Sequence, residues 1–391
     1  MKISIIGGGG RVGLPLAISL ANNGHKVSVI DLDPDRNSLI NKRVMPFSEK
    51  GAEVLLSNLP VGSLVASDRN QDIIDSEICM IIIGTPVLED GTPSTESIIT
   101  LVKDLVPYLE KVKLLMLRST VYPGVTRRLL GIIKEANLKT EISFCPERIA
   151  EGNAIEELTS LPQIIGVDSD PAFDISSQVF FGLSREIIRV SIEEAELTKL
   201  FANAYRYLNF AIANEFLEIC VDKKIDWEKV WHALKFNYPR TSALPKPGFA
   251  AGPCLVKDTQ QLNYFFSNKF SLGASALRIN ENLPEFIVEK LHENFELKNN
   301  SVGILGMTFK ANVDDFRSSL SFRLKRVLEQ YSKNVYCSDE VLQKDYFVNK
   351  EELITKSDIV IIATPHIEYK TLIINKPLID IWRITKNESL F

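Results

Sequence analysis

The segment KPGFAAGPCLVKD, residues 246–258, places one cysteine among small residues and just ahead of two charged ones. Lys257 and Asp258 follow Cys254 at three and four residues. A loop of small residues lets a ligand approach closely, and a nearby cation lowers the pKa of a thiol, whose thiolate is the reactive form. The pattern indicates Cys254 as a candidate nucleophile. The alternative is a small residue that only fits a tight loop.

A second pair of chemically useful residues lies in a helical pattern, EAELTKLFANAYRYLNFAIANE. Lys199 and Asn203 are spaced i, i+4 and therefore share one face of a helix. An ammonium and an amide on one face can stabilise a developing oxyanion or hold a water. The alternative is a solvated helix face without a function.

A glycine-rich turn follows the first apolar strand, Lys2–Ile6. Gly8, Gly10 and Gly13 fit G-x-G-x-x-G, a turn that brings backbone and a helix N-terminus close to a pyrophosphate. Asp31 ends the next strand, where a carboxylate binds ribose hydroxyls and would repel a ribose phosphate. The arrangement predicts NAD rather than NADP as cofactor. The alternative is a glycine turn required only for packing.

Two hydroxyl-bearing dipeptides, Thr85-Pro86 and Ser119-Thr120, follow the ends of later strands. Ligands of open parallel sheets bind beyond the carboxyl ends of the strands, so these side chains are placed to reach a cofactor or a water. Ordinary turn chemistry is the alternative, since Ser, Thr and Pro are common in loops.

The first third of the chain alternates strands and helices, which predicts a parallel sheet with right-handed crossovers. Further strands are expected at Lys26–Ile30, Ile78–Ile83, Leu114–Leu117 and Ile142–Cys145, with helices at Val12–Asn23, Ile98–Leu109 and Val125–Ala136. Helices alone are expected next, at Glu193–Lys223, Trp227–Lys235, Asp258–Phe266 and Ala274–Phe295. The α/β alternation then returns, with strands at Ser301–Leu305, Asn334–Ser338, Ser357–Ala363 and Leu378–Ile381 and a helix at Ser319–Gln330.

Composition narrows the class of protein. A chain of 391 residues with 45% hydrophobic and 24% charged residues is globular and long enough for two or three domains. The net charge of -5 and the absence of a basic stripe argue against nucleic acid as a partner. No apolar run approaches the about 20 residues that span a bilayer, and the opening MKISIIGGGG lacks a signal-peptide pattern. We therefore expect a cytoplasmic protein that has no membrane partner.

The five cysteines are scattered and include no C-x-x-C pair, so we expect neither a disulfide framework nor a metal site. Core packing is the expected role of the four other than Cys254, namely Cys79, Cys145, Cys220 and Cys337.

Seven motifs in order along the chain resemble the UDP-glucose/GDP-mannose dehydrogenase family, the nucleotide-sugar 6-dehydrogenases. They are GGGGRVGLPLA, GTP at 84–86, RSTVYPGVT, CPERIAEG, TKLFANAYR, GPCLVKD and GMTFKANVDDFRSS. The resemblance implies an α/β fold of two Rossmann-like parallel-sheet domains joined by a central all-helical domain. The implied domains are an NAD-binding one at 1–190, a helical dimerisation domain at 191–296, and a UDP-sugar-binding one at 297–391.

The resemblance also implies the chemistry: a four-electron oxidation that converts a sugar's primary alcohol to a carboxylate with two NAD. Cys254 would trap the aldehyde as a thiohemiacetal, which is oxidised to a thioester and hydrolysed. Such uronates feed surface polysaccharide synthesis. The implied enzyme is a homodimer formed through its central helical domain.

Individual roles come from the same resemblance. Lys199 and Asn203 would stabilise the oxyanion, Asp258 would move a proton through water, and Thr120 and Glu147 would serve proton transfer or thioester hydrolysis. The implied cofactor-binding residues are Gly8, Gly10, Arg11, Val12, Gly13, Asp31, Arg36, Thr85, Pro86, Thr120 and Arg317. The implied substrate-binding residues are Glu147, Arg148, Lys199, Asn203, Arg240 (given across the dimer), Phe249, Gly252 and Lys310, with Arg383 placed in the nucleotide-binding part.

The chain departs from the family pattern at Ala250 and Ala251, where glycine is usual, and at Val256, where many members have proline. The third segment, 301–391, is also short for the family. UDP-glucose and a UDP-N-acetylhexosamine are both open as substrates, and CPERIAEG leans toward the N-acetylated sugars. GDP-mannose oxidation, a two-electron β-hydroxyacid-type dehydrogenase and a non-catalytic nucleotide-sugar sensor are the alternatives.

Overall fold

The computed structural model describes residues 1–85, 88, 94–184, 186–250 and 252–390. Pro86 and Ala251, both singled out in the sequence, lie outside the described residues. The chain forms two compact units, Met1–Ala202 and Asn203–Phe391. The predicted division into three domains stays a prediction.

The elements of the first unit alternate as the sequence predicts. They are β1 (Lys2–Ile6), α1 (Gly13–Asn22), β2 (Lys26–Ile30), α2 (Pro34–Asn41), α3 (Ala52–Asn58), β3 (Leu64–Ser67), β4 (Ile78–Ile81), α4 (Glu96–Leu105), β5 (Leu114–Leu117), α5 (Val125–Glu135), β6 (Glu141–Phe144), α6 (Ala154–Ser160), β7 (Gln163–Gly166), α7 (Asp170–Phe180) and β8 (Ile187–Val190). Helix α8 (Ile192–Asp222) begins in this unit and continues into the second.

The second unit continues with helices and then returns to alternation. Its remaining elements are α9 (Trp227–Lys235), α10 (Leu255–Phe265), α11 (Ser271–Asn294), β9 (Ser301–Leu305), α12 (Leu320–Tyr331), β10 (Asn334–Ser338), α13 (Lys350–Lys356), β11 (Ile359–Ile362) and β12 (Leu378–Asp380).

The sheet of the first unit has the strand order β3-β2-β1-β4-β5-β6-β7-β8. Strands β4 and β5 are buried along their whole length, as parallel strands covered by helices on both faces must be. One face packs against α1, α3 and α7, and the other packs against α4 and α5. The strands predicted at Lys2–Ile6, Lys26–Ile30 and Leu114–Leu117 are confirmed.

Two features of this sheet differ from the prediction. Strands β6 and β7 pair antiparallel, through Phe144 and Gly166, whereas the sequence predicted parallel strands throughout. Strands β3, β7 and β8 were not predicted at all. Strand β8 is half-exposed and carries Arg189 among its apolar residues, so it lacks the continuous apolar run of a buried parallel strand.

The helical part of the second unit confirms the predicted helices, with one shift that matters for chemistry. Helix α10 begins at Leu255, three residues before the predicted start at Asp258. Cys254 occupies the N-cap position, and the side chain of Asp258 is buried.

The second unit's sheet has four parallel strands in the order β10-β9-β11-β12. Helices α11 and α12 cover one face, and α13 covers the other. The predicted fold class is therefore confirmed: two Rossmann-like sheets, the first mostly and the second wholly parallel, with an all-helical segment between them in the chain. Within the described part of the chain, every helix is too short or too polar to cross a bilayer.

Candidate active site

The glycine turn between β1 and α1 shows which glycines the chain itself requires. A Cβ atom on Gly13 would lie 2.6 Å from the Cα of Gly8, so a side chain at either position is sterically excluded. Gly10 is different, because the nearest atom to its hypothetical Cβ is 3.6 Å away, an ordinary contact. The chain's own packing therefore does not require glycine at position 10. The open space there fits the close backbone approach of a pyrophosphate.

The N-terminus of α1 lies at the same place. Its N-cap residue, Val12, makes no side-chain cap, and the N–H of Leu14 donates to the carbonyl of Gly10 at 2.9 Å. The positive end of the helix dipole at this turn favours an anion. Arg11 packs its guanidinium over the ring of Phe47, 5.1 Å from the centroid.

Asp31 lies beside the turn at the end of β2. Its carboxylate accepts hydrogen bonds from the backbone N–H groups of Gly9, at 3.0 Å, and Asp33, at 3.2 Å. The guanidinium of Arg36 lies 3.7 Å from the same carboxylate. The structure thus brings the predicted ribose-binding acid, Arg36 and the glycine turn together. This donor and acceptor set fits NAD.

The hydroxyl residues after β4 and β5 also meet at one edge of the sheet. Thr85 Oγ1 donates to the backbone oxygen of Thr120. The Oγ of Ser119 accepts from the N–H of Ile83 at 2.8 Å. These bonds fix the two loops to each other, so Thr85 and Thr120 are brought together as expected.

Glu147, which follows β6, is held from several directions. One carboxylate oxygen accepts from the N–H groups of Arg148, at 2.8 Å, and Ile149, at 3.1 Å. The other pairs with the guanidinium of Arg118, a fully buried side chain that lies over the ring of Phe180. Glu147 is therefore held in one position, and sequence reasoning missed its partner Arg118.

Lys199 lies on α8, one turn after Glu196, a buried residue that binds α8 to the start of α5. The carboxylate of Glu196 accepts from the N–H of Gly124 at 2.7 Å, and from the N–H and hydroxyl of Thr126 at 3.0 and 2.6 Å. Burial raises the pKa of Glu196, although these hydrogen bonds oppose the shift. Lys199 itself is buried, so its side chain does not lie on a solvated face.

Cys254 differs from the other cysteines of the chain. It is exposed, at the N-cap of α10, where the helix macrodipole favours a thiolate. The other four are buried, and burial raises the pKa of Cys79 and Cys337 to about 12 and that of Cys145 to about 11. Burial also raises the pKa of Cys220. Their predicted packing role is confirmed.

Asp258 contacts the side chains of Asn203 and Lys257. Its side chain is fully buried, and one oxygen accepts from the amide of Asn203 at 2.6 Å. The ammonium of Lys257 lies 2.7 Å from the other oxygen as an ion pair without hydrogen-bond geometry. A carboxylate and an amide thus meet one helical turn after Cys254. The alternative of a solvated face is wrong for Asn203, which is buried.

Two residues shortly before Cys254 pack against the second sheet's part of this unit: Phe249 joins its hydrophobic core, and Gly252 lies against Phe309. Phe249 and Ala250 are buried. Gly252 has a φ of 107°, and a Cβ there would lie 2.7 Å from the ring of Phe309. Glycine is therefore required at this position both by conformation and by contact.

The remaining predicted residues are basic and scattered. Arg148 is half-buried and donates to the carbonyl of Pro162, whereas Arg240 is exposed with its guanidinium over the ring of Tyr238. In the second unit, Lys310 follows Phe309, Arg317 forms a bidentate pair with Asp315, and the carbonyl of Arg383 accepts from Lys246. Their roles toward NAD or substrate stay predictions.

A polar cluster in the second unit escaped sequence reasoning. Asp339 ends β10, and one of its oxygens accepts from the N–H groups of Met307, at 2.6 Å, and Thr308, at 3.0 Å. The ring Nε2 of His366 lies 3.2 Å from the same oxygen, and both side chains are fully buried. Burial opposes ionisation, yet the contacts with His366 and the backbone donors hold the pKa of Asp339 at about 2.

Comparison with known proteins identifies the family. Three family models match in sequence order: the NAD binding domain of the UDP-glucose/GDP-mannose dehydrogenases at residues 1–183, the central domain at 193–282, and the UDP binding domain at 303–387. The chain belongs to the UDP-glucose/GDP-mannose dehydrogenase family. It is an NAD-dependent nucleotide-sugar dehydrogenase, and the predicted cofactor is confirmed.

Relatives of this dehydrogenase cover nearly the whole chain. It is 28% identical over 388 residues to a UDP-N-acetyl-D-mannosamine dehydrogenase of Methanococcus maripaludis, with 95% of this chain and 87% of the relative aligned. It is 27% identical over 400 residues to the UDP-glucose 6-dehydrogenase AglM of Haloferax volcanii, with 95% and 93% aligned. The structure of a UDP-D-ManNAc dehydrogenase from Pyrococcus horikoshii superposes with a TM-score of 0.91 at 25% identity, covering 100% and 97%.

The two site residues that sequence reasoning missed carried different clues. Arg118 comes directly after the buried strand LLML, where a charged residue needs a partner, but nothing in the sequence named Glu147 as that partner. Asp339 follows β10 as Asp31 follows β2. Applying the rule for the first sheet to the second would have identified it.

Burial predicts that Cys254 is alkylated selectively. At pH 8, iodoacetamide should modify Cys254 alone in the folded protein, because the other four thiols are buried and their pKa values are raised. Peptide mass spectrometry locates the adduct. The Cys254→Ser variant should take up no label, and label on Cys79 or Cys337 at a comparable rate would contradict the assignment.

The buried Asp339 predicts a particular dependence of stability on pH. Its pKa is lower in the folded chain, about 2, than the ordinary 3.8, so ionised Asp339 stabilises the fold above pH 4. That stabilisation, about 2 kcal/mol, is lost as the pH falls toward 2. In urea unfolding, the difference in the free energy of unfolding between wild type and Asp339→Asn should be smaller at pH 3 than at pH 7. The exposed Asp345→Asn is the control, and a difference that does not change with pH would refute this account.

Proposed function

We propose that this dehydrogenase oxidises the primary alcohol at C6 of a UDP-sugar to the carboxylate, in a four-electron reaction through an adduct on Cys254. The observation that carries the proposal is the exposed Cys254 at the start of α10, one turn from a buried Asp258 that binds Asn203. A thiol is needed because an aldehyde cannot give up a hydride until a nucleophile makes its carbon tetrahedral.

The atoms balance over four steps. The alcohol loses a hydride and a proton and becomes an aldehyde. The Cys254 thiolate forms a C–S bond to the aldehyde carbon, and the oxygen takes a proton. Loss of a second hydride and that proton gives a thioester. Water then replaces the sulfur, releasing the carboxylate and returning the thiol. The glycine turn and Asp31 would hold NAD, which would supply the hydride acceptor for both oxidations.

The other residues act on protons and on developing charge. We assign Lys199 and Asn203 to the oxyanion, because an ammonium and an amide stabilise negative oxygen in a dry site. Asp258 is assigned to proton transfer with the sugar hydroxyl through water. Glu147 and Thr120 are assigned to proton transfer or to the hydrolytic water. The pairing of Glu147 with Arg118 supports this, since it holds the carboxylate in one position.

A UDP-N-acetylhexosamine is the first substrate to test, and UDP-glucose is the second. Relatives that align over 95% of this chain are named UDP-N-acetyl-D-mannosamine dehydrogenase, and another is named UDP-glucose 6-dehydrogenase. The UDP binding domain model at residues 303–387 favours UDP over GDP. A screen of NADH formation over UDP-N-acetylmannosamine, UDP-N-acetylglucosamine, UDP-glucose and GDP-mannose identifies the sugar.

We further propose a homodimer formed through α8. Four apolar residues of this helix, between 41% and 61% exposed, are spaced so that they lie on one face: Tyr205, Ile212, Phe216 and Ile219. Apolar residues at such spacing form a stripe that packs against another helix. Two copies related by a two-fold axis would each offer the same stripe.

A cytoplasmic location is also part of the proposal. The mechanism requires Cys254 to remain a thiol, and the reducing cytosol keeps thiols reduced. An exposed thiol in an oxidising compartment would be exposed to disulfide exchange.

Stoichiometry tests the four-electron mechanism. Wild type should form two NADH for each uronate, because both hydrides leave the same carbon. Cys254→Ala should lower uronate formation by about 10⁴-fold, as expected when a covalent nucleophile is lost. The buried Cys220→Ala is the thiol control. One NADH for each aldehyde, or normal uronate formation by Cys254→Ala, would overturn the mechanism.

Charge on the stripe of α8 tests the homodimer. Wild type should have the mass of a dimer in light scattering, and Phe216→Glu should shift it to a monomer, since a carboxylate in an apolar interface is costly. Val61→Glu changes a fully exposed apolar residue of the first unit and should leave the dimer intact. A dimer that survives Phe216→Glu combined with Ile212→Glu would place the interface elsewhere.

A further inference from the structure

A buried amide holds the backbone of the loop that precedes Cys254. Asn214, a fully buried residue of α8, binds both backbone groups of Gly248. Its Oδ1 accepts from the Gly248 N–H at 2.8 Å, and its Nδ2 donates to the Gly248 carbonyl at 3.1 Å. An amide that pairs with the N–H and C=O of one residue fixes the orientation of both adjoining peptide planes.

A second buried amide orients the first. The Nδ2 of Asn214 also donates to the Oδ1 of Asn280, at 2.9 Å, and the Nδ2 of Asn280 donates to the carbonyl of Tyr207 at 3.0 Å. Asn280 lies on α11 and is fully buried. Because the carbonyl of Tyr207 can only accept, Asn280 must present its oxygen to Asn214. This leaves one arrangement of the Asn214 amide that satisfies every bond.

The described residues on either side of position 251 in this loop are packed. A Cβ on Gly248 would lie 2.5 Å from the ring of Trp382, so Gly248 lies against that ring. Phe249 and Ala250 are buried, and Gly252 packs against Phe309. Gly248 is thus held by Asn214 and Trp382 six residues before Cys254, the N-cap of α10.

We propose that Asn214 is a positioning residue for Cys254, acting through the peptide groups of Gly248, and that Asn280 sets the orientation in which it acts. The expected effect on turnover rests on the proposed role of Cys254 as nucleophile. The expected effect on the position and reactivity of the Cys254 thiol is independent of that role.

Alkylation and turnover together test this inference. In Asn214→Ala, the rate constant for modification of Cys254 by iodoacetamide should change by about threefold or more. Its kcat should fall by about 10- to 100-fold, the scale of a misplacement near 1 Å. The KM for NAD should stay within about twofold of wild type, because the glycine turn and Asp31 are unchanged. Asn280→Ala should show the same pattern more weakly, since it removes only the orienting bond.

Asn294→Ala is the matched control. Asn294 is an exposed asparagine at the end of α11 whose amide binds the carbonyl of Lys290, so its loss should leave alkylation and kcat unchanged. If Asn214→Ala does not fold, Asn280→Ala and Asn280→Asp decide. Wild-type alkylation and kcat in both would overturn the inference, as they would in a folded Asn214→Ala. If alkylation changes while Cys254→Ala remains active, the positioning role stands and the nucleophile assignment fails.

Discussion

Parallel pairing of the strands in the first unit is the constraint on which its chemistry depends. Parallel neighbours end at the same edge, so the residues that follow β1, β4, β5 and β6 are collected there although they are far apart in the chain. The glycine turn, Thr85, Thr120 and Glu147 all occupy such positions. The bond from Thr85 to the backbone of Thr120 and the pairing of Glu147 with Arg118 then hold this edge in one arrangement.

In both sheets, an acidic side chain binds the turn that follows the first strand. A turn after the first strand of each sheet presents backbone N–H groups, and an acid at the end of the neighbouring strand accepts them. Asp31 accepts from Gly9 in the first sheet, and Asp339 accepts from Met307 and Thr308 in the second. The two acids differ in their side-chain partners. Asp31 lies beside Arg36, whereas Asp339 is buried against His366.

In the second unit, a helix end supplies the position of the candidate nucleophile, because Cys254 is the N-cap of α10. Phe249, Ala250 and Gly252, which precede it, are buried. The same helix buries Asp258 one turn later, where Asn203 binds it. An exposed thiol and a buried carboxylate on one helical turn have very different surroundings, and such contrast lets neighbouring groups take different roles in one reaction.

The sequence by itself predicted most of the strands and long helices and most of the candidate chemistry-bearing residues, but not β3, β7, β8, Arg118 or Asp339. Apolar runs predicted β1, β2, β5, β9 and β10, because strands buried on both faces need continuous hydrophobic residues. Glycine spacing with Asp31 predicted NAD, and the motif around Cys254 predicted the candidate nucleophile. Only the tertiary structure decided which partners these residues meet. Arg118 for Glu147, Asn214 for Gly248 and His366 for Asp339 are separated by 29, 34 and 27 residues, and such pairs depend on how elements pack rather than on local pattern. The start of α10 at Leu255 was decided in the same way, because Asp258 is buried against Asn203 one turn inside the helix.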